Sequence, residues 1–196
     1  MNQLPHYFIA IPIPLSLKNM FHEWQNNLMK KLSYKQWPNK HDLHITLKFL
    51  GPVNESTLKT LQTNLGRIAD LHPFTLSVGE IGTFGNPAKP RVLWAGVEKN
   101  ENLIELHKEI EKCCNVQGFK KEQREYIPHI TLAKKRKETA CNNIEITNVK
   151  KDYFGVSYRF NVEEFVIYQI HPAQTQKYEL VSRILFKGDN GNGTIN

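Results

Sequence analysis

Apolar residues recur at three- and four-residue steps along three stretches of the chain, and at alternate or consecutive positions along seven others. Leu17, Met20, Phe21, Trp24, Leu28 and Leu32 predict an amphipathic helix over about 16–32, with Ser16 as its cap. Leu58, Leu61, Leu65 and Ile68 predict a second over 55–69, capped by Asn54. Leu103, Leu106 and Ile110 predict a third over about 102–114. Short runs rich in β-formers predict strands at 7–13, 43–50, 74–81, 91–97 and 130–134. The second of these is expected to stop at Gly51 and Pro52. The stretches 158–170 and 178–186 are expected to form a closing hairpin with its loop at 171–176. Two glycines and two prolines mark 82–90 as a loop, the strongly charged stretch 134–151 is assigned little regular structure, and the Gly- and Asn-rich 188–196 is expected to be a disordered tail.

The order is β-α-β-α-β-β-α, then a strand and a hairpin. Irregular alternation of this kind predicts an α+β fold with helices outside mixed sheets. Neither a Rossmann glycine fingerprint nor a P-loop is present.

Composition narrows the setting. The chain has 196 residues, a length that suits one domain, expected over 1–187, with a substantial core. Its net charge of +7 favours an anionic partner such as RNA or a phosphorylated small molecule, although solvated lysines give the same balance. Cys113, Cys114 and Cys141 are odd in number and lack CxxC spacing, so reduced thiols in a cytoplasm are expected rather than a disulfide framework or a zinc site. No apolar run approaches membrane-spanning length. A soluble, monomeric, cytoplasmic protein is the expectation.

One repetition changes the picture. His44, Ile45, Thr46 and Leu47 recur as His129, Ile130, Thr131 and Leu132, 85 positions later. With each residue type near 5%, a given tetrapeptide recurs by chance in roughly one such chain in a thousand. On a strand, each His shares a face with its Thr while Ile and Leu share the other. Each copy therefore seats an apolar pair in a core and presents an imidazole beside a hydroxyl. If the two copies face one another across a phosphorus atom, one imidazole can deprotonate a nucleophile while the other protonates the leaving oxygen. The Thr hydroxyls can hold the non-bridging oxygens. A strained cyclic phosphodiester suits such a site without a metal. Either copy alone would be structural, with His on a backbone carbonyl and Thr chosen for β-propensity. A metal site at His41, Asp42 and His44 is the weaker reading, and no serine or cysteine nucleophile signature is present.

The stretches LHITLKFLG from Leu43 and PHITLAK from Pro128 resemble the two signature motifs of the 2H phosphoesterase superfamily, and more narrowly its RNA 2′,3′-cyclic phosphodiesterase branch, also named 2′-5′ RNA ligase. Supporting matches are Phe8-Ile9-Ala10-Ile11, Arg91-Val92-Leu93-Trp94 and Phe165-Val166-Ile167-Tyr168. The resemblance implies a bilobal fold with pseudo-twofold symmetry, antiparallel or mixed sheets lining a central cleft, and no metal or cofactor. It assigns His44 as proton donor to the departing 3′ oxygen and His129 as acceptor from water, leaving a 2′-phosphate, with Thr46 and Thr131 on the phosphate. The implied substrate is RNA with a 2′,3′-cyclic phosphate end or a small cyclic nucleotide. Lys134 stands where relatives often carry Arg; it keeps the charge and loses the bidentate fork. Arg91 is expected either to face the cleft or to make a surface ion pair, and Phe8 either to stack on a base or to be a buried strand residue. Reverse 2′-5′ ligation at the same site, and a non-catalytic RNA-end or nucleotide binder, are the competing functions.

Overall fold

The computed structural model describes residues 4–137 and 143–187; the expected tail at 188–196 and Cys141 lie outside them. Among the described residues, nine strands, four α-helices and two short 3₁₀ turns alternate. The strands are β1 (His6–Pro12), β2 (Tyr34–Gln36), β3 (His44–Pro52), β4 (Phe74–Asn86), β5 (Lys89–Val97), β6 (His129–Arg136), β7 (Ser157–Val162), β8 (Glu164–Ile170) and β9 (Tyr178–Leu185). The helices are α1 (Leu15–Lys31), α2 (Glu55–Leu65), α3 (Glu101–Val116) and α4 (Asn143–Asp152).

Every strand pairing is antiparallel, and the strands follow the order β7-β4-β5-β6-β3-β1-β8-β9, with β2 added beside β6. The path is weakest at its middle. β9-β8-β1-β3 and β6-β5-β4-β7 are continuous ladders, whereas β3 and β6 meet through the one pair Ile45 and Ile130. The two expected sheets are thus joined edge to edge. Ile45 and Ile130 are the second residues of the two repeated tetrapeptides, so the axis relating the motifs passes between them. Outward from that axis, β1 and β5, then β8 and β4, then β9 and β7 occupy equivalent places.

Helices cover one face. Phe21 and Leu28 of α1, Leu61 and Leu65 of α2, and Leu103, Leu106 and Ile110 of α3 are fully or almost fully buried there. Each such side chain contributes about 1.5–3 kcal/mol by leaving water. The helices are exchanged between the halves. α1, which precedes β3 in the chain, lies against β6, and α3, which precedes β6, lies against β3. A buried polar contact fixes each crossing. The Gln25 side-chain amide on α1 donates to the carbonyls of Leu132 and Pro38, both at 3.0 Å. On the other side the Lys48 ammonium sits 2.8 and 3.0 Å from the two Glu111 carboxylate oxygens on α3 and donates to the Lys120 carbonyl at 2.6 Å.

Several elements depart from the sequence expectation. Ser16 does not cap α1; Pro14 occupies the N-cap, with its fixed φ suited to a helix start. Asn54 does cap α2, accepting from the Thr57 amide. Residues 82–90 form the end of a hairpin instead of a loop, because their glycines serve close approach. A Cβ on Gly82 would lie 1.9 Å from the Trp94 ring, which rests on the backbone there, and Gly85 takes a left-handed φ of +99°. β3 continues through Gly51, which takes φ +74° where the register with β1 shifts. The charged stretch after Lys134 holds the end of β6 and all of α4, whose Ile146 and Val149 are buried. Finally, 158–170 is two strands: β7 leaves to pair with β4, and β8 alone makes the hairpin with β9.

Candidate active site

The face of the sheet opposite the helices carries the repeated polar pairs. Ile45, Leu47, Ile130 and Leu132 are buried on the core side, while His44, Thr46, His129 and Thr131 are half-buried. Carried one residue either side of the Ile45 and Ile130 pair, the antiparallel register sets His44 opposite Thr131 and Thr46 opposite His129. The four side chains form a quadrilateral with the imidazoles on one diagonal and the hydroxyls on the other. Diagonal neighbours of this kind have Cα atoms about 7–8 Å apart, room for one tetrahedral phosphorus between two ring nitrogens.

The tautomers follow from the hydrogen bonds. His44 Nδ1–H donates to the carbonyl of Asp42 at 2.6 Å, and His129 Nδ1–H donates to the carbonyl of Ile127 at 2.8 Å. Each histidine thus bonds the carbonyl two residues before it, and each keeps Nε2 as the working atom. At His44 that atom accepts from the Thr46 hydroxyl at 3.0 Å.

Burial pushes the His44 imidazole down to about 4; its bond to the Asp42 carbonyl opposes this, and the charges of Lys134, His129 and Lys18 add to it. Burial also lowers His129, against its bond to Ile127 and with help from Lys134. Both rings are therefore neutral at pH 7 in the unliganded protein. Lys134 is itself lowered by partial burial and by the charge of Lys177. The charge of Lys134 beside two neutral imidazoles is a setting that favours an anion.

Aromatic walls hold both imidazoles. Phe8, Tyr178 and Tyr168 surround His44 at centroid distances of 4.7, 5.2 and 6.1 Å. Phe84 and Trp94 hold His129 at 4.8 and 6.1 Å. Asp42 ties the first wall together. It is 5% exposed, and its carboxylate accepts the amides of Lys177 at 3.0 Å and Tyr178 at 3.2 Å. Tyr126 adds a brace from the segment before β6, its hydroxyl donating to the Thr46 carbonyl at 3.2 Å.

The structure brings His44, Thr46, His129, Thr131 and Lys134 onto one face. Of the two expectations for Phe8, base stacking or a buried strand residue, the structure fits the second. At 3% exposure Phe8 has no free face for a base, and it packs His44 from the side. Arg91 is the extra residue of a bulge in β5, where Phe84 pairs with Val92 and Gly85 with Pro90, and it is not among the charges that act on either imidazole. The sequence pattern does not point to Tyr178, Phe84, Gln25 or Tyr126, and gives Tyr168 no role beyond a family match. Phe84 lies in the stretch whose glycines and prolines predict a loop, and the sequence offers Asp42 only as a metal ligand. Its carboxylate is instead turned to backbone amides, and among the described residues no group of three or more His, Cys, Asp or Glu side chains is gathered to hold a metal ion. Burial pushes the Cys114 thiol up to about 12, which keeps it protonated and unreactive. A cavity of about 570 Å³ between α2 and α3, lined by Arg67 and Cys113 among others, shares no residue with the histidine face.

The profile of the 2′-5′ RNA ligase superfamily matches residues 13–173. An RNA 2′,3′-cyclic phosphodiesterase of Bacillus subtilis (strain 168) is 38% identical over 176 residues, covering 89% of this chain and 93% of the relative. An RNA 2′,3′-cyclic phosphodiesterase of Geobacillus stearothermophilus is 32% identical over 178 residues, 90% of this chain; that match spans only 56% of the relative's own length. Among solved structures, E. coli LigT complexed with 3′-AMP superposes with a TM-score of 0.77 at 25% identity, over 93% of this chain and 99% of that one.

Proposed function

The chain belongs to the 2′-5′ RNA ligase superfamily, and from that premise we propose that it is an RNA 2′,3′-cyclic phosphodiesterase whose working groups are the paired His-x-Thr side chains. The observation that carries this reading is the diagonal arrangement. Two imidazoles, each tied through Nδ1 to a carbonyl with Nε2 left to act, lie on one diagonal of the paired motif strands, which supports their working from opposite sides of one phosphorus. In-line displacement at phosphorus needs a proton acceptor and a proton donor on those opposite sides.

In the proposed reaction His129 Nε2 takes a proton from water as its oxygen bonds to phosphorus. The P–O3′ bond breaks, and His44 Nε2–H gives its proton to O3′, leaving a 2′-phosphomonoester. Water exchange returns one proton to His44 and removes one from His129. Thr131 and Thr46 donate to the non-bridging oxygens, and Lys134 adds charge. Thr46 and His44 are coupled in this scheme. While Nε2 is unprotonated it accepts the Thr46 hydroxyl; once protonated it cannot, and that hydroxyl turns to the phosphate. With a 5′-hydroxyl in place of water, the reverse path joins RNA ends through a 2′-5′ bond, and the concentration of water makes hydrolysis the default.

All four motif side chains come from one chain, which supports action as a monomer. The continuous sheet supports reading 1–187 as a single bilobal domain. Free thiols at Cys113 and Cys114 support a reducing, cytoplasmic setting; among the described residues no helix is long and apolar enough to cross a membrane. The test is hydrolysis of an oligoribonucleotide ending in a 2′,3′-cyclic phosphate, with EDTA present, by wild type, His44→Ala and His129→Ala. EDTA-resistant formation of a 2′-phosphate, lost in both variants, is expected. A 3′-phosphate product would reverse the leaving-group assignment. Tight binding without turnover by wild type would replace the enzyme with a binding protein.

A further inference from the structure

The junction between the halves is where the motifs meet and where strand pairing holds least. β3 and β6 share the one pair Ile45 and Ile130. Each motif strand also bulges at its leucine against its outer neighbour. In β3 the register with β1 passes from Thr46 to Lys48, skipping Leu47, and in β6 the register with β5 passes from Thr131 to Ala133, skipping Leu132. Side chains must therefore complete the placement of the two imidazoles.

Each imidazole is oriented by the carbonyl two residues before it, so whatever fixes that carbonyl fixes the ring. The two halves do this differently. In the first, the residue that supplies the carbonyl, Asp42, anchors itself through its buried carboxylate to the amides of Lys177 and Tyr178. In the second it is Ile127, 40% exposed, whose side chain has no polar atom to anchor with. The segment leading to it is held at Glu122, whose amide donates to the Glu111 carboxylate at 3.4 Å. Residues 123–125 are then exposed, and Glu125 meets Lys99 in a solvated pair that fixes little. Tyr126 supplies the next attachment inward. Its hydroxyl crosses the junction to the Thr46 carbonyl at 3.2 Å, and its ring lies flat on that of His107 on α3, with centroids 3.8 Å apart and planes 10° apart. Burial pushes the Tyr126 phenol up, so its hydroxyl stays a donor at neutral pH. Between this anchor and His129 stand only Ile127 and Pro128, whose ring fixes φ.

We propose that Tyr126 is the positioning residue of His129. Its hydroxyl ties the chain to the backbone of the first motif one residue before Ile127. That bond holds the Ile127 carbonyl where it keeps the imidazole in the Nδ1–H tautomer, with Nε2 turned to the site. The second imidazole is thereby placed against the strand that carries the first. The consequence for turnover rests on the phosphodiesterase reading, whereas the tautomer can be read without turnover.

Tyr126→Phe keeps the ring on His107 and removes the bond. ¹⁵N-resolved imidazole spectra of the free protein would be recorded for wild type, Tyr126→Phe and Asp42→Asn, with His44→Gln and His129→Gln spectra for assignment. Values of kcat and KM would be measured on an oligoribonucleotide ending in a 2′,3′-cyclic phosphate. In Tyr126→Phe the His129 signals are expected to pass from one tautomer to a mixture while those of His44 stay in place. The kcat should fall by roughly 10- to 100-fold, with KM little changed. Asp42→Asn should show the opposite selectivity, moving His44 and sparing His129, a contrast that general loosening of the fold would not produce. His129 signals unchanged in Tyr126→Phe, or moved together with those of His44, would overturn the proposal. Altered His129 signals in a protein whose wild type hydrolyses no cyclic phosphate would support the positioning role and count against the phosphodiesterase reading instead.

Discussion

The depressed His44 sets up a measurable change on binding. In the unliganded protein its ring is held at about 4, so only about one molecule in a thousand carries a proton there at pH 7. A general acid in that state is almost always empty. The substrate's phosphodiester anion corrects this. Two unit charges about 4 Å apart at an effective dielectric of about 20 interact by about 4 kcal/mol, or about three pH units at 1.36 kcal/mol per unit. Occupation of the site should therefore move His44 from about 4 to about 7, with protons taken up between those values. The assay is a ¹⁵N-resolved titration of the imidazoles, with and without saturating 2′-nucleotide, using a His44→Gln spectrum to assign the signal. In the free protein His44 should show the Nδ1–H tautomer through neutral pH and titrate about two units below an ordinary histidine. The kinetic counterpart is a pH optimum for kcat/KM, which reports the free enzyme, that lies acid of the optimum for kcat. A free-protein His44 titrating near 6.5, or one unmoved by the bound anion, would refute the reasoning.

Four further outcomes follow from the packing. Because the folded His44 is depressed and the unfolded one is not, the unfolded chain binds more protons between about pH 6.5 and 4; stability should be intact above that window and fall across it by about 3 kcal/mol, a slope in urea unfolding that His44→Ala reduces. Lys48→Ala leaves the Glu111 carboxylate buried without its cation and should cost about 3–5 kcal/mol, whereas the double change Lys48→Met with Glu111→Leu should lie much nearer wild type in the same unfolding assay. Asp42→Asn replaces a charged acceptor of the Lys177 and Tyr178 amides, and a loss of about 1.5–3 kcal/mol should accompany a lower kcat as Tyr178 loses its hold beside His44; rates equal to wild type would show that this wall does not position the ring. Gly82→Ala should drive the Trp94 ring off β4, at about 1–3 kcal/mol by thermal unfolding, with kcat reduced through His129.

Local pattern was enough to find the three long helices, because Leu61, Leu65, Leu103 and Leu106 follow the helical period and are buried as that period demands. Alternation alone also separates His44 and Thr46, the candidate site residues, from buried Ile45 and Leu47. The bulges at Leu47 and Leu132 left no such trace. They invert the expected polarity of two neighbours, burying charged Lys48 and exposing aromatic Phe49. What makes Lys48 tolerable inside is Glu111, 63 positions away on a helix that precedes the other motif. Gly82 misled for a related reason, since its partner is the Trp94 ring on the next strand rather than a turn. Short β2 has no apolar run of its own, and its pairing with β6 is tertiary. Residue type alone leaves Phe8 and Arg91 open between two roles each, and it is strand position that makes Phe8 a buried wall beside His44 and puts Arg91 at a bulge.

The exchange of α1 and α3 across the sheet means that halves of the chain are not halves of the fold. A polypeptide ending at the β4–β5 turn would hold one motif strand, β3, but the helix that backs it, α3, would be on the missing piece, and its own α1 would have no β6 to cover. Its partner fragment would be deficient in the mirror sense. Each would carry an apolar surface and an unpaired strand edge shaped for the other. Such fragments are built to interlock rather than to fold separately, and the intact chain must bring together segments far apart in sequence before either layer closes. The same interlocking ties Gln25 to the second motif strand and Glu111 to the first, so the spacing of the two histidines depends on both crossings being made.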